Sequence, residues 1–172
     1  MARVYFKVHA GDIRKAVREK GTKQIIALSK NPRVMKQIAE KAIDLINPYV
    51  PEDSGALRES AHVIYHEKQV QIVWGDNLHR SNRKVPTNAY AHYQYGGEVY
   101  GPNIPIRVNG VIVGWRSPKG RPKYPTGRNL KYKSPGARSH WTEVIKRGTS
   151  EFKQLVDYAE PLVKKEVRRA NK

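Results

Sequence analysis

Apolar and polar residues alternate from the first residues of the chain: Val4, Phe6 and Val8 are interleaved with Arg3, Tyr5 and Lys7, the period of two that a half-buried strand needs. From Asp12 the period lengthens. Ile13, Val17, Ile25 and Leu28 fall on one stripe of a helix that Gly21 weakens in its middle. Asn31 followed by Pro32 predicts an N-cap with proline at the first helical position. It opens a second helix whose stripe is Val34, Ile38, Ala42, Ile43 and Ile46, and Asn47-Pro48 ends it. In the next stretch, YVPEDSGALRES, Asp53 or Ser54 is placed to cap a short helical turn that carries Ala56 and Leu57 inward.

Two β-rich runs follow, His62 to Tyr65 and Val70 to Trp74. Val70, Ile72 and Trp74 alternate against Gln71 and Val73, and the polar residues between the runs suit a hairpin turn. Asp76 to Thr87 is polar and contains Pro86, which predicts a loop. The strongest local signal is IPIRVNGVIVGW. Asn109-Gly110 is the preferred pair for a type I′ turn, because both residues tolerate the positive φ that the turn demands. A two-residue loop sets Val108 opposite Val111, Ile106 opposite Val113 and Ile104 opposite Trp115, all on one face. Arg116 to Arg138 differs in kind, since Pro118, Pro122, Pro125 and Pro135 oppose regular structure and predict an extended basic arm. Helical spacing returns at Trp141, Val144 and Ile145. After Gly148 it runs through Phe152, Leu155, Val156, Ala159, Leu162, Val163 and Val167, with a kink or interruption expected at Pro161.

The pattern adds up to an α+β fold: a small antiparallel β-sheet packed against N-terminal and C-terminal helices, with an inserted β-hairpin and an extended basic arm. A chain of 172 residues predicts a single domain. Within it, 1–50 hold the N-terminal strand and helices, 51–98 the core turn and strands, 99–138 the hairpin and basic arm, and 139–172 the C-terminal helix. The apolar share of 38% and mean hydropathy of -0.73 predict a thin core supplemented by interfaces. No apolar run reaches the roughly 18 residues of a membrane span, and the N-terminus has no signal-peptide core, so a soluble protein not secreted by that route is expected.

Charge changes the picture most. The 33 Lys and Arg against 15 Asp and Glu leave a formal net charge of +18. A compact monomer pays for this in self-repulsion, and an anionic partner is the usual reason such an imbalance persists; nucleic acid is the first expectation. The cations of the arm are Arg116, Lys119, Arg121, Lys123, Arg128, Lys131, Lys133 and Arg138, interleaved with Trp115, Tyr124 and Tyr132. That composition suits phosphate pairing with loose base stacking, without base reading. Lys164, Lys165, Arg168 and Arg169 form a second basic group, at the end of the last helix, where cations also meet the helix dipole favourably.

Signs of catalysis are sparse. There is no cysteine, which excludes disulfides, thiolate zinc and cysteine nucleophiles. His9, His62, His66, His79, His92 and His140 are scattered outside any HExxH pattern, and neither a P-loop nor a dinucleotide fingerprint occurs. Glu52, Asp53, Glu59, Glu67, Asp76 and Glu98 form no recognisable magnesium set. The expectation is therefore a protein that is not an enzyme and has no catalytic residue, metal or cofactor. A metal-dependent nuclease and a general nucleic-acid-binding protein stand as alternatives.

Three separated stretches, Tyr49 to Ser60, Asn88 to Glu98 and Gly136 to Arg147, together resemble the minor capsid, or tail-completion, family of tailed bacteriophages. The first part of the family pattern is matched by Pro51, Asp53, Ser54, Gly55 and Leu57. The second is matched by Tyr90, Ala91, Gln94, Tyr95 and Gly96, and the last by Trp141 and Lys146. The hairpin, the basic arm and the long C-terminal helix depart from that pattern. The resemblance implies a subunit of the phage neck, located at the head-tail junction of the virion and made in the host bacterial cytoplasm. It implies a homo-oligomeric ring, a hexamer before a dodecamer, around the channel that double-stranded DNA traverses without sequence-specific contact. Its protein neighbours would be head-completion and tail-terminator or tail-tube proteins, with no membrane partner. Tyr90, Tyr95, Gly96 and Trp141 are expected as packing and turn residues.

Overall fold

The computed structural model describes residues 4–8, 31–52, 54–66, 69–76 and 87–170. The helix expected between Asp12 and Leu28 lies outside them, as does Asp53. Strand β1 (Val4–Val8) is followed by helix α1 (Pro32–Ile46), a 3-10 turn at Asn47–Tyr49, the short helix α2 (Ala56–Glu59), and strands β2 (His62–His66) and β3 (Gln69–Trp74). A second 3-10 turn at Thr87–Ala89 leads into α3 (Ala91–Gly96). Strands β4 (Glu98–Gly101), β5 (Ile104–Val108), β6 (Val111–Arg116) and β7 (Tyr124–Asn129) come next, then a 3-10 turn at Trp141–Ile145 and helix α4 (Ser150–Ala170). The fold is α+β.

Helix α1 starts where its cap dictates. Asn31 Oδ1 accepts from the backbone N–H of Arg33 at 3.1 Å and of Val34 at 3.3 Å, and Pro32 occupies the first turn. The same Asn31 donates through Nδ2 to Glu166 Oε2 at 2.7 Å, tying the start of α1 to α4. The buried face of α1 is Val34, Met35, Ile38, Ala39, Ala42 and Ile46, and it packs against α4, β2, β3 and the turn at Trp141. Helix α4 answers with Leu155, Ala159 and Val163, spaced by four. Of the two outcomes expected at Pro161, a kink or an interruption, the interruption does not occur, since α4 runs on through it to Ala170. The proline's missing N–H falls on the exposed side of the helix, where water can serve the freed carbonyl.

The main sheet is antiparallel in the order β1-β3-β2. Its register sets Val4, Phe6 and Val8 opposite Trp74, Ile72 and Val70, and Val63 opposite Ile72. The alternation in β3 holds for Val70, Ile72 and Trp74, which enter the core. Val73, expected on the polar side, is also fully buried, apart from that core cluster. Helix α2 differs from expectation at its cap: Gly55, left-handed at φ 78°, occupies the N-cap position, with no side-chain cap bond. Ala56 and Leu57 are buried as the spacing requires. Ser60 closes the turn, donating to Leu57 O at 2.7 Å and accepting from Gly75 N at 2.8 Å.

The turn at Trp141 completes the core. Trp141 is wholly buried, with Trp74 edge-on at 6.5 Å and Tyr95 edge-on at 4.8 Å between ring centroids. Tyr95 also shares a hydrogen bond with Thr142 Oγ1 at 2.7 Å, and its carbonyl accepts from His140 N at 2.9 Å. Gly97, rather than Gly96, is the turn residue after α3: its φ is 73°, and a Cβ there would stand 2.4 Å from Ser139 Cβ. Gly96 has open space around it.

The two buried indoles differ in how their N–H groups are served. Trp74 Nε1 donates to Asn47 Oδ1 at 3.1 Å, whereas buried Trp141 Nε1 finds no hydrogen-bond partner among the described residues. Trp141→Phe is therefore expected to cost about 1 kcal/mol less than Trp74→Phe, while Trp141→Ala costs about 3–5 kcal/mol; urea unfolding measures all three.

Glu151 at the start of α4 accepts from the Tyr49 hydroxyl and from Ser150 Oγ, a tie that links the carboxylate's charge to stability in acid. The Tyr49 hydrogen bond, then that of Ser150, holds the Glu151 carboxyl below its ordinary 4.5. The same bond, then desolvation, raises Tyr49 above 10.0. A depressed carboxylate contributes stability that is present above its unfolded value and lost as pH falls through its folded one. Glu151→Gln should therefore flatten the loss of Tm as pH falls below 4.5, and an unchanged acid limb would refute the tie.

Candidate nucleic-acid interface

Residues 99–138 contribute no side chain to the hydrophobic core cluster, and every charged side chain among them is Lys or Arg. The Asn-Gly turn forms as its chemistry demands, with φ of 50° at Asn109 and 78° at Gly110. Register departs from the sequence expectation beyond Val108↔Val111. Arg107 stands opposite Ile112, Ile106 opposite Gly114, Pro105 opposite Trp115 and Ile104 opposite Arg116, with an irregularity between Ile106 and Arg107. Val113 is the extra residue of a bulge, so the single apolar face expected of the hairpin is replaced by apolar residues on both faces.

The arm is also more ordered than its prolines suggest. Tyr124–Asn129 is strand β7, paired antiparallel with β4 through Glu98↔Asn129, Tyr100↔Pro125 and Gly101↔Tyr124. Pro125 is tolerated because this is a two-stranded sheet with open edges. Side chains pin the pairing: Thr126 Oγ1 donates to Val99 O at 2.6 Å, and Glu98 Oε1 accepts from Gly127 N at 2.8 Å. Farther along, Leu130 N donates to Gly97 O at 2.8 Å, Ser134 Oγ accepts from Glu52 N at 3.1 Å, and Arg138 N donates to Tyr49 O at 3.1 Å.

These ties decide where the cations stand. Arg116, the last residue of β6, and Lys119 and Arg121, between β6 and β7, are exposed. Lys123, expected on the DNA-facing or ring-contact surface, donates its ammonium to Pro102 O at 3.1 Å and Asn103 Oδ1 at 3.0 Å, which also makes it an anchor of the arm. Tyr132 is likewise an anchor rather than a stacking surface, because its hydroxyl donates to Gln94 O at 2.5 Å, and burial raises its pKa. Lys131 and Lys133 flank it along a cleft of about 500 Å³ that Pro51, Ser54, Leu57, Tyr90 and Gln94 also line. Arg138 lies over the Tyr49 ring at 5.8 Å. Arg128 and Lys131 share a second, open cavity of about 940 Å³ with Trp115, Tyr124, Asn103 and Asn129. Trp115 is 61% exposed and Tyr124 55%. Two open aromatic faces beside two cations can stack bases and neutralise phosphates in one groove.

The C-terminal cations are placed differently. Lys164 bonds Glu160 at 2.7 Å and Arg169 bonds Glu166 at 2.9 Å, pairs one turn apart on α4. Lys165 and Arg168 are exposed beside them. Half of this group is thus already matched by acids, and it sits on the helix that packs against α1 and the Trp141 turn, not on the 99–138 lobe.

The stretches that carry the family resemblance do meet. Tyr95 packs on Trp141, Ala91 is fully buried, and Tyr90 packs against the core. Arg58 donates to Val50 O at 2.9 Å and pairs with Glu52, holding the Pro51 turn, while Ser54 is exposed. Lys146 is exposed and paired with Glu143 at 2.6 Å. Asn103 and Thr126, which line the groove, escaped the sequence reading because no charge or motif marks a residue that acts by tying one strand to another; Glu98, which the sequence marks only as an acid outside any metal set, serves in the structure as a strand tie. Among the described residues no three His, Asp or Glu side chains gather as a metal-holding group, and no helix is long and apolar enough to cross a membrane. No family model, no curated protein and no solved structure matches the chain.

The groove makes a quantitative prediction. Replacing Arg128 and Lys131 with Ala should reduce the slope of log K against log salt for duplex DNA by about 0.9 for each phosphate that is no longer neutralised. Trp115→Ala should weaken single-stranded DNA binding by about 1–3 kcal/mol with little change in that slope. Fluorescence anisotropy across a salt series measures both, and unchanged slopes in the double variant would remove the groove as a phosphate site.

Proposed function

We propose that the chain is a structural subunit of a bacteriophage neck, a ring-forming head-to-tail connector or tail-completion protein whose copies surround the DNA channel. The observation that carries this reading is the composition of the lobe at 99–138. It lies outside the core and holds exposed cations and uncovered apolar side chains next to one another. The cations call for a polyanion and the apolar residues for protein neighbours, and a ring subunit beside DNA meets both at once. The meeting of the three resembling stretches around Trp141 and Tyr95 supports the same reading. A ring would bring the groove cations of all its subunits to one channel, where sequence-independent phosphate contact is sufficient.

In this role a hexamer is favoured, in contact with head-completion and tail-terminator or tail-tube proteins, and the protein performs no chemistry. Sedimentation velocity and negative-stain imaging of the full chain, with and without duplex DNA, test the reading. Closed rings with a central channel are the expected result. DNA cleavage that needs magnesium or manganese and disappears on changing one acidic residue would replace it with a nuclease. A monomer that binds DNA tightly, with a steep salt response and no assembly, would replace it with a general nucleic-acid-binding protein.

A further inference from the structure

Strands β5 and β6 form a sheet of two strands with nothing stacked on either face that shields it. Val108 is 53% exposed, Val111 65%, Val113 60% and Trp115 61%. A two-stranded ribbon of this kind is marginally stable alone in water, and a contiguous apolar patch of this sort marks contact with another macromolecule.

The chain itself indicates what covers it. Between Ile104 and Trp115 the charged side chain is Arg107, and its Nη1 is folded back on the turn, donating to Gly110 O at 2.9 Å. Copies that each carry +18 repel one another, and the hairpin is where two of them approach at least electrostatic cost. Apolar complementarity points the same way. Apart from this hairpin and adjoining Tyr124, the large exposed hydrophobic residues among those described are Tyr65 and Tyr158, each standing singly. The apolar surface that the chain offers to a hairpin is thus another hairpin. The backbone adds a directional element: β6 runs from Val111 to Arg116 without proline and has an unpaired outer edge, whereas β5 carries Pro105.

Resting on the ring reading above, we propose that the β5–β6 hairpin is the self-association element of this protein. Hairpins of neighbouring copies cover one another's apolar faces, and the open edge of β6 is the edge that adds a strand.

The absence of cysteine makes the test direct. Ile112→Cys should give disulfide-linked dimers under mild oxidation at micromolar protein, while Lys36→Cys on the exposed face of α1 should not. The pair Val111→Lys and Val113→Lys should raise the concentration needed for assembly by at least about tenfold in sedimentation velocity. Because the hairpin supplies no core residue, the thermal midpoint of the lysine variant should match that of the wild-type chain when both are measured below the concentration at which the wild type assembles. Oligomers that persist in the lysine variant, or cross-linking of Ile112→Cys no faster than that of Lys36→Cys, overturn the hairpin and leave the ring standing. A wild-type chain that remains monomeric with and without DNA overturns both.

Discussion

The wholly buried indole of Trp141, met edge-on by Trp74 and Tyr95, is the contact on which the rest of the structure depends. It joins the end of the main sheet, helix α3 and the turn before α4, three pieces that are far apart in sequence. Large aromatic rings bury more area than any aliphatic pair, and their edge-to-face geometry fixes orientation as well as proximity. Once these rings meet, α1 can lie across β2 and β3 with α4 beside it, and the Pro51 turn, the Gly97 turn and the Arg138 backbone are brought within hydrogen-bond reach of their partners.

The core is complete without residues 99–138, and that independence has physical consequences. A segment that adds no side chain to the core cluster draws little on the hydrophobic effect. It is held by the pairing of β4 with β7 and by polar ties: Thr126 to Val99, Lys123 to Pro102 and Asn103, Tyr132 to Gln94, Ser134 to Glu52. Two of the charged or aromatic groups that composition alone would assign to DNA are used in this way. Those left over, chiefly Arg128 and Lys131 beside Trp115 and Tyr124, form a groove where phosphate and base contacts can coexist. The hairpin above them remains apolar on both faces. The proposed neck subunit and the proposed hairpin contact are two answers to the same imbalance, one electrostatic and the other hydrophobic.

Where the governing interaction is local, the amino-acid pattern is a sufficient guide. Asn31-Pro32 starts α1 because a cap bond spans two or three residues, and Asn109-Gly110 forms its turn because two residues alone must accept positive φ. The stripes of α1 and α4 and the alternation of Val70, Ile72 and Trp74 follow from the periods of helix and strand. At the candidate interface, the cations were legible as a group. Their division into anchors, paired ions and free groups was not, because each depends on a distant partner or on the geometry that brings one near: Lys123 on Asn103, Lys164 on Glu160, Tyr132 on Gln94.

Composition and period thus establish the α+β class, the extent of α1, the apolar stripe of α4, the turn at Asn109-Gly110 and the excess of positive charge. Folding in three dimensions assigns what these leave open. The bulge at Val113 shifts the hairpin register, β7 forms within a proline-rich arm because β4 supplies its partners, and Gly97 displaces Gly96 as the turn residue because Ser139 crowds it. The reason is the range of the forces involved: caps, turns and amphipathic stripes are satisfied within a few residues, whereas strand pairing, close packing and ion pairing are settled by whichever distant group arrives.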